Sequence, residues 1–136
     1  MRIPDAGRWV IVALLLGGCA TAEAPEAPPG TEDGDPVVAM PAFRAVGQEP
    51  GWLVEVFPGD SMRFLLDYGE TLFTTAAPAP DSTEAAIVWR TLDPRGAIEL
   101  RATRATCHDA MSGEAFPATV TLTVGDRSLT GCGRWP

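Results

Sequence analysis

From Phe43 to the end of the chain, apolar and polar positions alternate with a period near two. Trp52, Val54 and Val56 alternate with Leu53, Glu55 and Phe57, and Pro58-Gly59-Asp60 follows as a turn. Met62, Phe64 and Leu66 alternate with Arg63, Leu65 and Asp67 before a turn near Tyr68-Gly69. Thr71 to Ala76 reads as a third strand, Pro78 to Ser82 as a loop and Ala85 to Leu92 as a fourth strand. Ile98, Leu100 and Ala102 then face opposite Glu99, Arg101 and Thr103. No stretch beyond the N-terminal apolar run sustains a 3.6-residue period. The pattern predicts an all-β domain over 43–136, a small antiparallel β-barrel or strongly curved sheet of about seven short strands.

Two turns have chemistry that fixes their place. In Asp93-Pro94-Arg95-Gly96, proline sets one backbone angle and glycine permits a positive φ. Near the C-terminus Thr119, Thr121 and Thr123 alternate with Val120, Leu122 and Val124. A two-residue Gly125-Asp126 turn places Leu122 opposite Leu129 and Thr121 opposite Thr130, so each pair matches in polarity.

The first 42 residues follow other rules. Arg2 and Arg8 precede the apolar run Trp9 to Leu16, which is too short to span a bilayer and fits the apolar stretch of a signal peptide. Leu16-Gly17-Gly18-Cys19 resembles a lipobox. That resemblance implies cleavage before Cys19, diacylglyceryl attachment to its sulfur and acylation of the new N-terminus. Position 20 is Ala rather than Asp, which favours outer-membrane sorting in a Gram-negative host. Residues 20–42 carry five acidic residues and five prolines and few large apolar side chains, too little burial to offset the entropy of ordering. The expected plan is a signal peptide (1–18), a lipid-anchored disordered tether (19–42) and a β domain (43–136).

Charge narrows the chemistry further. The net charge of -8 disfavours nucleic acid, whose phosphates it repels. All ten basic residues are Arg, so a lysine Schiff base and a P-loop lysine are excluded. The single histidine, His108, excludes any metal site built on two or three imidazoles. No cofactor is expected.

Once Cys19 is lipidated, Cys107 and Cys132 remain, and an even pair in an oxidising compartment predicts a disulfide. Strict alternation puts Cys107 on the Glu99/Arg101 side of its strand and Cys132 on the Ser128/Thr130 side of its own, both on the polar face or at strand ends. Cys107-His108-Asp109 also holds the residue types of a thiol hydrolase. Neighbours on a strand point in opposite directions, however, so thiol and imidazole would not meet as nucleophile and base. Trp52 reads first as a core aromatic and Glu49 as a turn residue; both are also candidates for a surface binding site.

Phe43-x-Ala45-x-Gly47-x-Glu49-Pro50-x-Trp52, followed by Cys107-x-Asp109-x-Met111-Ser112-Gly113-x-x-Phe116-Pro117 and Gly131-Cys132, resembles a family of uncharacterised proteobacterial envelope lipoproteins. The chain departs from that pattern at Gly51, where an aromatic residue is expected. The resemblance implies an envelope location and brings no activity with it. Ser112-Gly113-Glu114-Ala115-Phe116 is similar to the Ser-Gly-x-x-Tyr loop of periplasmic lysozyme inhibitors, with Phe116 lacking the tyrosine hydroxyl.

The expectation is therefore a lipid-anchored domain at the outer membrane, facing the periplasm, that binds a ligand or maintains the envelope and is not an enzyme. Its partners are the membrane, through the lipid on Cys19, and an envelope protein or a peptidoglycan-related ligand. Glu49, Trp52, His108, Asp109, Ser112 and Phe116 are the candidate binding residues. A lysozyme inhibitor, which would expose Ser112 and Phe116 at a loop tip, and a small cysteine hydrolase are the alternatives.

Overall fold

A computed structural model describes residues 39–136; the signal peptide, Cys19 and the tether up to residue 38 lie outside the described residues. Eleven strands follow in chain order: β1 (Phe43–Gln48), β2 (Gly51–Phe57), β3 (Ser61–Leu66), β4 (Thr71–Ala76), β5 (Asp81–Ser82), β6 (Ala86–Asp93), β7 (Gly96–Thr103), β8 (Cys107–His108), β9 (Ala115–Phe116), β10 (Ala118–Val124) and β11 (Arg127–Arg134). Nine of them form one antiparallel sheet in the order β4-β3-β2-β1-β11-β10-β7-β6-β5, while β8 and β9 make a separate two-stranded ribbon. The sheet is strongly curled into a half-barrel. Its curl brings Phe43 of β1 into a stack with Trp89 of β6, ring centroids 5.2 Å apart, although three strands lie between them.

The core lines the concave face, as the alternation requires. Val54, Val56, Met62, Phe64, Ile98, Leu100, Val120 and Leu122 are all nearly inaccessible. Each such side chain contributes about 1.5–3 kcal/mol by leaving water. The last hairpin has the expected register, with Leu122 opposite Leu129 and Thr121 opposite Thr130. Gly125 takes φ 56° at the first turn position, as a type II′ turn demands. In the β6–β7 hairpin Asp93 pairs with Gly96, leaving Pro94 and Arg95 as the turn.

Two expectations about the strands are corrected. The main sheet has nine strands rather than about seven, because β1 and the two-residue β5 belong to it. The inward positions of β1 are Phe43, Ala45 and Gly47, two of them too small to register as an apolar stripe. Gly47 is small for a reason: a Cβ there would lie 1.9 Å from the Trp52 indole nitrogen, so the ring fills that space. The second correction concerns Cys107. It does not continue β7, which ends at Thr103, but sits in β8 on the ribbon.

Candidate functional site

The β8–β9 ribbon lies against the convex side of β11 as a flap, and the sequence motif from Cys107 to Phe116 builds it. Cys107 and Cys132 are bridged, with Cα atoms 5.4 Å apart. The bond closes a loop of 25 residues in sequence separation, which in the chain-entropy picture contributes roughly 3–4 kcal/mol. By alternation Cys132 belongs to the outward side of β11, yet it is buried, because the flap covers it.

Asp109 organises the rest of the flap. Its Oδ1 accepts from the Ser112 amide at 2.8 Å, the Ser112 hydroxyl at 2.9 Å and the Met111 amide at 3.1 Å. Its Oδ2 accepts from the Gln48 side-chain amide at 2.7 Å, tying the flap to the end of β1. The Ser112 amide foremost, then the Gln48 amide and the Ser112 hydroxyl, hold this carboxyl at a pKa of about 2 against the opposing effect of burial. Gly113 completes the turn with φ 70°. At the far end of the flap the Phe116 ring is buried, with the Arg134 guanidinium 4.1 Å from its centroid, and Arg134 also pairs with Glu114 at 2.8 Å.

Several candidate residues are thereby relocated. The lysozyme-inhibitor alternative needs Phe116 at an exposed loop tip; instead Phe116 is the flap's apolar anchor, because β9 turns it under Arg134. Ser112 is exposed, but its hydroxyl is committed to Asp109. Trp52 takes the core role: its ring sits over Gly47 and Gly131, and its indole N–H donates to the Thr130 carbonyl at 3.3 Å. Asp109 is buried and accepts four hydrogen bonds from within the protein, three at Oδ1 and one at Oδ2, so its carboxylate is engaged in holding the flap. Cys107, joined to Cys132, offers neither a thiolate nor a metal-binding sulfur.

His108 and Glu49 are both exposed. Together with Gln48, Cys107 and Asp109 they line a shallow depression of about 320 Å³ between the flap and the β1–β2 turn. A second groove of about 470 Å³ runs past the other end of the flap, bordered by Met40, Arg44, Glu55, Glu114 and Arg134. Both of its arginines are engaged there, Arg134 with Glu114 at 2.8 Å and Arg44 with Glu55 at 3.9 Å.

Two residues that local reading passes over belong to this surface, one lining the depression and one joined to Glu49 beside it. One is Gln48, the flap's tie. The other is Tyr68, in the turn between β3 and β4, whose ring lies over Gly51 and whose hydroxyl donates toward the Gln48 carbonyl and Glu49 Oε2, each at 3.2 Å. An aromatic ring thus covers Gly51. That Tyr68 is the single tyrosine of the chain, and that it stands in a turn, is the sequence signal that could have found it. Comparison of the chain with protein-family models, curated proteins and solved structures returned no match.

Proposed function

We propose that this chain is a lipid-anchored envelope protein whose β domain is a binding module, held by acyl chains on Cys19 at the outer membrane and facing the periplasm. One observation carries the binding part of the reading. The thiol and carboxylate that a hydrolase would use are consumed by the architecture, while the depression beside them keeps Glu49 and His108 open to solvent. A nucleophile needs a free lone pair beside a base, and the Cys107 sulfur is bonded to Cys132. The disulfide also supports an oxidising compartment. The location rests on the Leu16-Gly17-Gly18-Cys19 sequence. Against a lysozyme inhibitor of the Ser-Gly-x-x-Tyr kind stands the inward-turned Phe116.

The test is position-specific photocrosslinking in the native envelope. A crosslinker at Ala110, which lines the depression, should capture a discrete envelope component, and one at the exposed Ala97 should not. Equal capture from both positions overturns the assignment of this surface.

A further inference from the structure

We propose that Tyr68 is the stacking platform of a site for a neutral pyranose glycan, with Glu49 accepting sugar hydroxyls and the depression at His108 seating the next sugar unit. The inference rests on the binding-module reading and names its ligand class.

Tyr68 is 71% exposed, yet its ring is fixed in place. One face rests on Gly51, where a Cβ would lie 2.6 Å from ring Cδ1 and 2.9 Å from Cε1. The hydroxyl is held at the Gln48 carbonyl and the Glu49 carboxylate. The backbone below is left-handed at two successive non-glycine residues, φ 54° at Asp67 and 57° at Tyr68. Such conformations are unfavourable and persist only where the surroundings enforce them, and they cluster at active sites, ligand clamps and switch regions. Here the enforcing contact is Arg127, whose guanidinium grips both carboxylate oxygens of Asp67, at 2.5 and 3.0 Å.

The chemistry of this surface selects a sugar. The bare face of an aromatic ring is electronegative, and the C–H face of a pyranose presents weakly positive hydrogens to it. A ring already ordered loses little further freedom on binding. Toward β1 the platform is bordered by acceptors: Glu49, exposed and in no ion pair among the described residues, and then the depression with His108. An apolar ring face next to hydroxyl acceptors matches a molecule with one apolar face and a polar rim. The net charge of -8, with the Glu49 carboxylate at the tyrosine hydroxyl, argues for a neutral glycan over an anionic one. The depression of about 320 Å³ is at the small end of the range for ligand sites.

The experiment titrates the full processed chain with a β-1,4-linked N-acetylglucosamine tetramer. Tyr68 is the only tyrosine in the chain, so its ring resonances identify themselves. The expected result is a saturable shift of those resonances with a Kd on the order of 1 mM. Tyr68→Ala should weaken binding at least about tenfold, a loss of roughly 1.4 kcal/mol or more. Gly51→Ala, which keeps the tyrosine but pushes its ring off the backbone, should weaken binding several-fold and decides the matter should Tyr68→Ala not fold. Glu49→Gln should also weaken it. The proposal is overturned by Tyr68 resonances that do not respond, or by a tetra-arginine peptide shifting them where the sugar does not. Undiminished binding by a folded Tyr68→Ala variant would overturn the platform yet leave the binding-module reading standing.

Discussion

The side-chain amide of Gln48 and the carboxylate of Asp109 meet at 2.7 Å across 61 positions of sequence, and this contact joins the two motifs of the chain. Gln48 stands at the end of β1, immediately before Glu49-Pro50. Asp109 heads the Asp-x-Met-Ser-Gly turn of the flap. The disulfide pins the flap at β11, and Gln48 pins it at β1, so the floor of the depression is held from two adjacent strands. A ligand entering there meets a surface whose ordering has largely been completed on folding.

Acid should loosen the flap. Asp109 has its pKa lowered to about 2 in the folded chain, against about 3.9 unfolded. Its contribution to stability is therefore complete above pH 4 and is lost as pH falls from about 4 to about 2. Asp109→Asn should be less stable than the parent at neutral pH and should lack this part of the acid-dependent loss. Thermal melts of both proteins between pH 5 and pH 2 decide it: parallel curves would show that Asp109 does not couple to folding.

Reduction, or Cys107→Ser, should lower stability by about 2–5 kcal/mol, as for staples in other small secreted domains. Before reduction neither sulfur should react with an alkylating reagent. Rapid labelling of Cys107 in the untreated protein, slowed by His108→Asn, would restore the cysteine-hydrolase reading.

Cys19→Ala should remove the acyl mass and release the protein from membranes. Two or three acyl chains anchor stably, at about 0.8 kcal/mol per buried methylene, and on the proposed reading the substitution takes away their attachment point. Intact mass and membrane fractionation read the outcome; an unchanged acylated mass would refute the lipobox assignment.

Strands that alternate large apolar with polar side chains were legible, and so were their turns. The β2–β3, β6–β7 and β10–β11 hairpins follow from Trp52-Val54-Val56, Ile98-Leu100 and the threonines of β10. β1 was obscured because its inward Ala45 and Gly47 are small, and Gly47 leaves room for the Trp52 ring that β2 supplies. A two-residue strand has no period, so the flap could not be read as one. The pairing of Cys107 with Cys132 was foreseen although the strand assigned to Cys107 was not, since it depended on compartment and parity. The Tyr68 surface was hidden for a deeper reason. It is assembled from residues 48–51 and 67–68, brought together by the β1-β2-β3 meander, and no local pattern registers such an encounter.

The inward glycines of β1 and β11 give the last prediction, because their neighbours differ in kind. A Cβ on Gly131 would stand 2.1 Å from the Val46 carbonyl oxygen, and one on Gly47 would stand 1.9 Å from the Trp52 indole nitrogen. Overpacking a core costs about 1–3 kcal/mol, and more where backbone must move. Gly131→Ala should therefore fall at or above the top of that range, since the β1–β11 ladder has to part to admit it. Gly47→Ala meets first a side chain that can be trimmed, so part of its cost should be recovered by Trp52→Phe. Gly113→Ala is the control: nothing lies within 4 Å of its Cβ, and only the left-handed φ is penalised, at about 1–2 kcal/mol. Denaturant titration of the singles and of both double variants measures the couplings. The expected result is a favourable coupling for Gly47→Ala with Trp52→Phe, and a smaller one when Trp52→Phe is combined with Gly131→Ala. Equal couplings would mean that the indole, and not the Val46 carbonyl, limits both positions.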